Sequence, residues 1–245
     1  MIDIPIICYS HSSYNDVNYI FFKQMDKYLP GIKKYLFIDS VPENLSKDVE
    51  VVLYDDVMNY SDRVTSCLKN VKEKLCIFHH EDMILYDNPN ISKLNELIKF
   101  ISEYNISYIK LLKGGDVCDL KLDDMPIDNL FYIPHDGLSF AIQPTIWKVD
   151  KLLEIYNNSE KPTEVGNKAI GNFEIYGSNY INTSNIEGLY WYSGENKRGL
   201  SHWDSSIYPH GNFISKGKWV YGEYNTELIK LHKEYNIEKN IRGVR

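Results

Sequence analysis

The chain has 245 residues, enough for one large domain, and its 43% hydrophobic and 25% charged residues are ordinary for a globular protein. Its net charge of −7 argues against a protein that holds nucleic acid mainly through phosphate contacts, because such domains are usually basic. No basic N-terminal region and no apolar run of membrane-spanning length occur, so the sequence predicts a cytoplasmic protein with no membrane span.

The first half of the chain alternates short apolar runs with helical patterns, which is typical of βαβ units and a largely parallel sheet. The predicted elements are, in chain order, a strand at 4–9, a helix at 16–29, strands at 35–38 and 49–54, a helix at 61–71, a strand at 75–78, a helix at 92–104 and a strand at 108–112. The predicted fold class is therefore α/β, with a mostly parallel, Rossmann-like central sheet flanked by helices.

The pattern changes after about residue 125. Strands are predicted at 130–133 and 138–142, a helix at 145–156, and a last helix near 224–235. Residues 157–222 are rich in Asn, Gly, Ser and aromatic side chains and show little periodicity, so this half is predicted to be irregular. Long irregular stretches of a compact protein usually carry function. We predict a single domain over residues 1–245, made of halves 1–125 and 126–245.

Acidic side chains follow two of the predicted parallel strands. Asp39 ends the second strand, and Glu81 and Asp82 follow an apolar run that resumes at Met83. Ligands of open α/β sheets bind outside the carboxyl ends of the strands. Carboxylates at that edge repel phosphate, but they hold it through a divalent cation, which prefers oxygen ligands. The alternative is that Glu81 and Asp82 only cap the next segment at the surface.

The order of elements resembles that of a GT-A glycosyltransferase, and His80-Glu81-Asp82 resembles a degenerate form of its D-x-D motif. The resemblance covers roughly residues 3–213. It implies that residues 1–125 bind a nucleotide sugar and that residues 126–245 bind the acceptor. It further implies that Asp82 binds Mn²⁺ or Mg²⁺ on the donor diphosphate, while Glu81 approaches the ribose or the metal.

The same resemblance implies four further donor contacts. Ser10 and His11 lie in the loop after the first strand, which faces the nucleotide in this family. Asp39 stands where the family often has an aspartate that hydrogen-bonds the base. Arg63 stands on the helix before the D-x-D strand, where a basic residue commonly borders the nucleotide. For Asp39 and Arg63, a surface or capping role is the alternative.

Inverting members of the family use a carboxylate well beyond the D-x-D motif to deprotonate the acceptor hydroxyl. Glu174, 92 residues after Asp82, has suitable spacing and lies between glycines and aromatic residues. A partly apolar site would raise its pKa toward a useful value for a general base. The alternative is an exposed loop glutamate, and Glu164 and Glu187 are rival candidates.

A histidine near the C-terminus supplies a further metal ligand in many GT-A enzymes. His210, between Pro209 and Gly211, matches that position, and imidazole suits Mn²⁺ better than Mg²⁺. A polar surface residue is the alternative, and His202 is the competing candidate.

The chain contains 20 Tyr and 4 Trp, side chains that often line carbohydrate sites, although biased composition explains them equally well. Trp191 and Trp203 are predicted either to wall the acceptor site or to pack in the core. Positive charge gathers at Lys216–Trp219 and at Arg242–Arg245, where it either faces the leaving diphosphate or is solvated.

The resemblance therefore implies a metal-dependent hexosyl- or pentosyltransferase that uses a nucleotide-sugar donor and inverts the anomeric configuration of the transferred sugar. Its acceptor is a glycan, a protein, a lipid or a modified nucleic-acid base. One rival is a nucleotidyltransferase of similar architecture, although the loop Ser10-His11-Ser12-Ser13 lacks the Gly and Lys of a phosphate-binding loop. The other rival is a carbohydrate- or nucleic-acid-binding module without catalysis.

Overall fold

The computed structural model describes residues 2–115, 117–121, 126–135, 138–164, 166–199, 202–238 and 240–245, without the side chains of Asn167 and His202. Within these ranges the strands are β1 (Ile6–Tyr9), β2 (Lys34–Ile38), β3 (Val49–Leu53), β4 (Leu75–His80), β5 (Met83–Leu85), β6 (Tyr108–Lys110), β7 (Leu130–Tyr132), β8 (Thr145–Lys148), β9 (Gly188–Trp191), β10 (Lys197–Arg198), β11 (His202–Trp203), β12 (His210–Asn212), β13 (Ile214–Ser215) and β14 (Lys218–Trp219). The helices are α1 (Asn15–Tyr28), α2 (Tyr60–Leu68), α3 (Ile91–Glu103), α4 (Val149–Asn158), α5 (Asn167–Thr183) and α6 (Tyr221–Tyr235), and a 3₁₀ turn over Ser12–Tyr14 precedes α1. None of the described helices has both the length and the apolar character needed to cross a bilayer.

Eight of the described strands form one mixed sheet in the order β3-β2-β1-β4-β8-β6-β9-β7. The neighbours β3, β2, β1 and β4 all pair in parallel. Strand β8 lies antiparallel between β4 and β6, so β6 and its parallel partner β9 run in the same direction as β4. Of these eight strands, six share one direction, while β8 and β7 oppose them. The predicted α/β class with a mostly parallel sheet is confirmed.

Helices cover both faces of the sheet. One hydrophobic cluster joins Ile6 and Leu36 of the strands to apolar side chains of α1, α3 and α6. The other joins Ile7 and Phe37 to side chains of α2, α4 and α5. Successive strand residues point to opposite faces, so adjacent apolar residues serve opposite layers. Burial on both faces explains why these strands read as continuous apolar runs rather than as alternating patterns.

Two local predictions in the second half are wrong. Residues 145–156 are not one helix, because 145–148 form β8 and the helix α4 begins at Val149. The Thr-Ile-Trp sequence of β8 suits a buried strand between β4 and β6. Residues 138–142 form no strand. They are hydrogen-bonded to α5 instead, because the Phe140 backbone N–H donates to Ser178 Oγ at 2.9 Å.

The stretch 157–222 is also more regular than predicted, because it contains α5 and β9. Gly171, Gly177 and several Asn residues lower the helix propensity of α5. Burial of Ala169, Phe173 and Ile181 against the sheet outweighs that cost. The spacing of these three apolar residues, each a multiple of four apart, was the available sequence signal for a helix.

Gly188 of β9 is expected to tolerate no side chain. A Cβ there would lie 2.0 Å from Cζ of Tyr108, whose buried ring stacks on Trp147 at 4.3 Å and has no room to withdraw. We expect Gly188→Ala to lower the free energy of unfolding by about 1–3 kcal/mol, the usual cost of overpacking a core. Urea unfolding of the purified variant measures this loss.

The matched control is Gly171→Ala on the exposed side of α5, where an added Cβ meets nothing within 4 Å. Alanine is favoured over glycine inside a helix, so we expect this variant to be unchanged or up to about 1 kcal/mol more stable. Equal stability of the two alanine variants would contradict the packing described around Gly188.

Candidate active site

A cavity of about 670 Å³ opens where β1 and β4 end. It is lined by Tyr9 at the end of β1, by Ser10 in the loop that follows, and by Glu81 and Asp82 after β4. Helix α5 contributes Glu174 to the same cavity. A crevice at the carboxyl ends of adjacent parallel strands is where open α/β sheets bind ligands. Its size is in the range of sites for small organic ligands.

Of the two adjacent carboxylates that line this cavity, Glu81 is buried and Asp82 is partly buried. Strand β4 ends at His80, Glu81 and Asp82 form a turn, and Met83 begins β5. Burial, together with the neighbouring Asp82 carboxylate, raises the pKa of Glu81. Burial likewise raises the pKa of Asp82, and the Glu174 carboxylate adds to the effect. The Asp82 carboxylate therefore acts on Glu81, and the Glu174 carboxylate acts on Asp82. Like charges that influence one another in this way disfavour ionisation of all three groups unless a cation offsets them.

Hydrogen bonds satisfy Asp82 only in part. With the Asn212 amide nitrogen turned toward it, Asn212 Nδ2 donates to Asp82 Oδ2 at 3.1 Å. The backbone carbonyl of Asp82 accepts from the Phe213 N–H at 2.9 Å. The other carboxylate oxygen, Asp82 Oδ1, is buried and has no hydrogen-bond partner among the described residues. A buried oxygen without a hydrogen bond lowers the stability of the folded protein unless a ligand binds to it.

His210 reaches the same cavity because β12 pairs antiparallel with β5, the strand that follows Asp82. Its Nδ1 lies 2.7 Å from the Tyr208 carbonyl oxygen. A carbonyl only accepts, so Nδ1 carries a proton and donates. In the neutral ring this leaves the lone pair on Nε2. That is the form in which histidine ligates a metal. Both residues proposed as metal ligands therefore line one cavity.

Within the described ranges, no three His, Cys, Asp or Glu side chains are grouped closely enough to hold a metal ion by themselves. A cation here would take part of its coordination from substrate phosphates and water. Mg²⁺ is usually bound in that way, through one or two carboxylates and the phosphates of a substrate. The unsatisfied Asp82 Oδ1 and the adjacent Glu81 fit such a site.

His80, the first residue of the D-x-D-like motif, has a different environment from the two acids. Its Nε2 lies 3.0 Å from the Tyr60 hydroxyl, which in turn lies 3.0 Å from the Tyr156 hydroxyl. Burial lowers the pKa of His80 to about 3, so the ring is neutral. His80 thus belongs to a buried polar chain, of which His80 and Tyr60 line the cavity, and it directly precedes the turn of Glu81 and Asp82.

The loop after β1 is held from behind by Asp39. The Asp39 carboxylate accepts from both the backbone N–H and the hydroxyl of Ser12, each at 2.6 Å. Ser10 and His11 line the cavity, whereas Asp39 is not among its lining residues. Of the predicted donor contacts, Asp39 is therefore placed to shape the loop rather than to face the cavity.

Arg63 lines the cavity at the end of an aromatic stack. Its guanidinium pairs with Asp56 at 2.9 Å and lies over the ring of Tyr54 at 5.2 Å. Tyr54 stacks on Tyr9, with ring centroids 5.3 Å apart and planes within 10°. Tyr9 and Arg63 line the cavity, whereas the buried Tyr54 supports both from behind. An aromatic side chain beside a guanidinium suits a planar or ring-shaped ligand.

Glu174 lies on α5 and not in a loop, which corrects the local structure predicted around it. Its Oε1 accepts from the Ile142 N–H at 2.7 Å. Burial raises the pKa of Glu174, while the Ile142 N–H and the nearby ammonium of Lys110 act in the opposite direction. Lys110 is buried in β6, and burial lowers its pKa to about 8. The lysine within the apolar run 108–112 was a visible signal that the sequence analysis missed.

The rival candidates are placed less favourably. Glu164 lines the cavity but is exposed, and Glu187 is exposed and does not line it. The side chain of His202 lies outside the described part of the structure. Trp191 is buried in the core, whereas Lys216 lines the cavity mouth. Further lining residues that the sequence analysis did not single out include Asn59, Tyr60, Gln143 and Asn212.

No family model and no curated protein matches this chain. Among solved structures, residues 1–349 of TarS from S. aureus align over 98% of this chain and 68% of that one, with a TM-score of 0.51 and 10% identity. The bifunctional IspDF from Campylobacter jejuni aligns over 80% of this chain with a TM-score of 0.46 and 13% identity, and this chain spans about half (51%) of its length. The galactosyltransferase LgtC, solved with donor and acceptor sugar analogues, aligns over 76% of this chain and 73% of that one, with a TM-score of 0.44 and 9% identity. At such identities the similarity extends to the fold alone, the mixed α/β architecture that this chain shares with residues 1–349 of TarS.

Proposed function

We propose that the protein is a metal-dependent glycosyltransferase that moves a sugar from a nucleotide donor to an acceptor hydroxyl with inversion. The observation that carries this proposal is that three carboxylates from two distant parts of the chain line one cavity. Glu81 and Asp82 come from the end of β4, and Glu174 comes from α5. Glu81 and Asp82 are suited to bind a cation, and Glu174 is suited to accept a proton.

Asp82, with Glu81 or His210, would hold Mn²⁺ or Mg²⁺, whose chemistry when bound is to neutralise the charge that develops on the leaving diphosphate. Glu174 removes the proton from the acceptor hydroxyl as its oxygen attacks the anomeric carbon. The bond from that carbon to the diphosphate oxygen breaks, and the nucleoside diphosphate leaves. The raised pKa of Glu174 brings its basicity closer to neutral pH, where a general base is most effective.

The cavity surface formed by Tyr9 and Arg63 is where the nucleotide would dock. An aromatic face suits a base or a ribose, and the guanidinium supplies a positive charge near the phosphates. Ser10 and His11 form the edge of the same surface. Asp39 acts on the nucleotide through the loop that it holds.

The loop after β1 favours glycosyl over nucleotidyl transfer. A nucleotidyltransferase needs a Gly- and Lys-containing loop there to cradle a triphosphate. In this chain the loop is a 3₁₀ turn whose Ser12 N–H is committed to Asp39, so it is not directed at a phosphate. The acidic floor of the cavity, made of Glu81, Asp82 and Glu174, likewise suits a less charged donor than a nucleoside triphosphate.

Nucleoside diphosphates in the presence of Mn²⁺ are expected to raise the melting temperature. A ligand at a hundredfold excess over its dissociation constant stabilises the native state by about 2.7 kcal/mol, or roughly 5–10 °C for a chain of this size. Thermal unfolding with UDP, GDP, CDP, ADP and dTDP, each with Mn²⁺ or with EDTA, measures the shift. No shift with any of the five nucleotides would contradict the donor site, and a shift that is unchanged in EDTA would favour a metal-independent binding module.

A further inference from the structure

Arg242 joins two parts of the chain that are 226 residues apart. Its Nε donates to Asp16 Oδ2 at 2.6 Å, and its Nη2 donates to the other Asp16 oxygen and, at 2.8 Å, to the Ser13 carbonyl oxygen. The guanidinium also lies over the Tyr14 ring, 4.6 Å from its centroid. The Arg242 side chain is only 11% exposed and is not among the cavity-lining residues. This cation is therefore neither solvated nor in the cavity, and its partner is the start of α1.

The contacts of Arg242 fall on the loop that follows β1. Ser13 and Tyr14 line the cavity. The Tyr14 N–H donates to the His11 carbonyl at 2.8 Å, which closes the 3₁₀ turn. Asp39 holds one side of this turn, and Arg242 holds the other. Two side chains that do not line the cavity thus fix the shape of one part of its wall.

The segment 240–245, which carries Arg242, is itself anchored to the core. The buried Trp219 donates its N–H to the Gly243 carbonyl at 3.2 Å, and the Arg245 N–H donates to the Trp219 carbonyl at 2.9 Å. Nη1 of Arg245 donates to Ser215 Oγ at 2.7 Å. Ser215 also lines the cavity, so this segment contacts two separate parts of the cavity wall.

We propose that Arg242 is a positioning residue of the nucleotide site, which holds the turn Ser12–Tyr14 in the shape that binds the donor, an inference that rests on the function proposed above. A guanidinium that donates to both oxygens of a carboxylate fixes the distance and the angle between the two groups. A wall that is already ordered loses little conformational entropy when a ligand binds, so the affinity is higher. Without Arg242, binding would have to order the turn.

Calorimetric titration of Arg242→Ala tests this inference. UDP, GDP, CDP, ADP and dTDP are titrated into the unaltered protein with Mn²⁺, and the tightest of the five is used for the variants. We expect the Kd to rise about 10-fold, because one or two side chains must then be ordered on binding. Asp16→Ala should raise the Kd as well. The double variant should bind about as weakly as Arg242→Ala alone, because the two residues act through one contact.

Lys27→Ala is the matched control. Lys27 Nζ donates to both carboxylate oxygens of Glu234, each at 2.8 Å, so this pair also joins α1 to a distant part of the chain. Neither residue lines the cavity. We expect the Kd to be unchanged in Lys27→Ala, because this pair does not contact the turn after β1.

Hydrogen exchange of the unaltered protein is a second measurement, which needs no variant. Coupling between two sites is reciprocal, so a contact that raises nucleotide affinity is stabilised by the nucleotide to the same extent. The same nucleoside diphosphate with Mn²⁺ should slow exchange of the Arg245 amide by up to about 10-fold. Exchange of the Tyr104 amide, at the exposed end of α3, should not change.

An unchanged Kd in Arg242→Ala, additive losses in the double variant or an equal loss in Lys27→Ala overturns the inference while the proposed function stands. If Arg242→Ala does not fold, the exchange of the Arg245 amide decides, and an exchange rate that the nucleotide does not slow overturns the inference. Failure of the unaltered protein to bind any of the five nucleoside diphosphates is a failure of the proposed donor site and overturns both.

Discussion

Asp82→Asn is expected to reduce sugar transfer by about 10³-fold. Asparagine keeps the shape of the side chain but removes the charge that a hard cation needs. The charge stabilisation that a metal supplies to a leaving group is worth several kcal/mol, and each 1.36 kcal/mol is a factor of ten in rate. Mn²⁺-dependent affinity for the nucleoside diphosphate should fall as well, because the cation joins the phosphates to the protein.

Asp87→Asn is the matched control for this loss. Asp87 is exposed, lies five residues further along the chain and is not among the cavity residues. Activity and metal dependence should remain at native levels in this variant. Near-native turnover of Asp82→Asn would exclude the metal site that we propose at Glu81 and Asp82. His210→Ala should give a milder loss, with the preference among metals moving away from Mn²⁺.

Glu174→Gln is expected to slow transfer by about 10²–10⁴-fold, which is the usual contribution of general base catalysis. The glutamine retains an oxygen for the Ile142 N–H, so the local fold should persist. Nucleoside-diphosphate affinity should be almost unchanged, since the base acts on the acceptor side of the anomeric carbon. Rates from initial velocities and affinities from calorimetry separate the two effects.

Glu187→Gln serves as the control, because Glu187 is exposed and lies outside the cavity. If Glu174→Gln transferred sugar at the native rate, the base would lie elsewhere, and Glu164 would become the residue to test. Loss of nucleotide binding in Glu174→Gln would instead assign a structural role to this side chain. NMR of the product should show an inverted anomeric configuration, and retention would contradict direct displacement.

The first half of the fold could be predicted from sequence because its strands are buried on both faces. Ile6–Tyr9 and Lys34–Ile38 form continuous buried runs, which short windows of sequence reveal. The second half depends on contacts between distant residues. Thr145–Lys148 form a strand because they pair with both β4 and β6. Helix α5 forms despite its glycines because Phe173 stacks on Tyr156, with ring centroids 4.4 Å apart.

The same distinction applies to the candidate site. Glu81 and Asp82 could be predicted as site residues from local sequence, because they directly follow an apolar strand. The partners that complete the cavity are distant in sequence, as the hydrogen bond from Ile142 to Glu174 and the approach of Gly114 to Gln143 show. For Asp39, the position after a strand indicates a ligand contact but does not reveal that the side chain also binds Ser12.

The most direct test of the account is the slow hydrolysis of nucleotide sugars by the purified protein, with Mn²⁺ or with EDTA. Glycosyltransferase chemistry predicts that at least one donor releases free sugar and the nucleoside diphosphate, that EDTA abolishes the release, and that Asp82→Asn reduces it to background. Absence of release from every donor in a full panel would contradict the proposed activity. Formation of pyrophosphate from a nucleoside triphosphate and a sugar phosphate would instead identify nucleotidyl transfer as the reaction of this cavity.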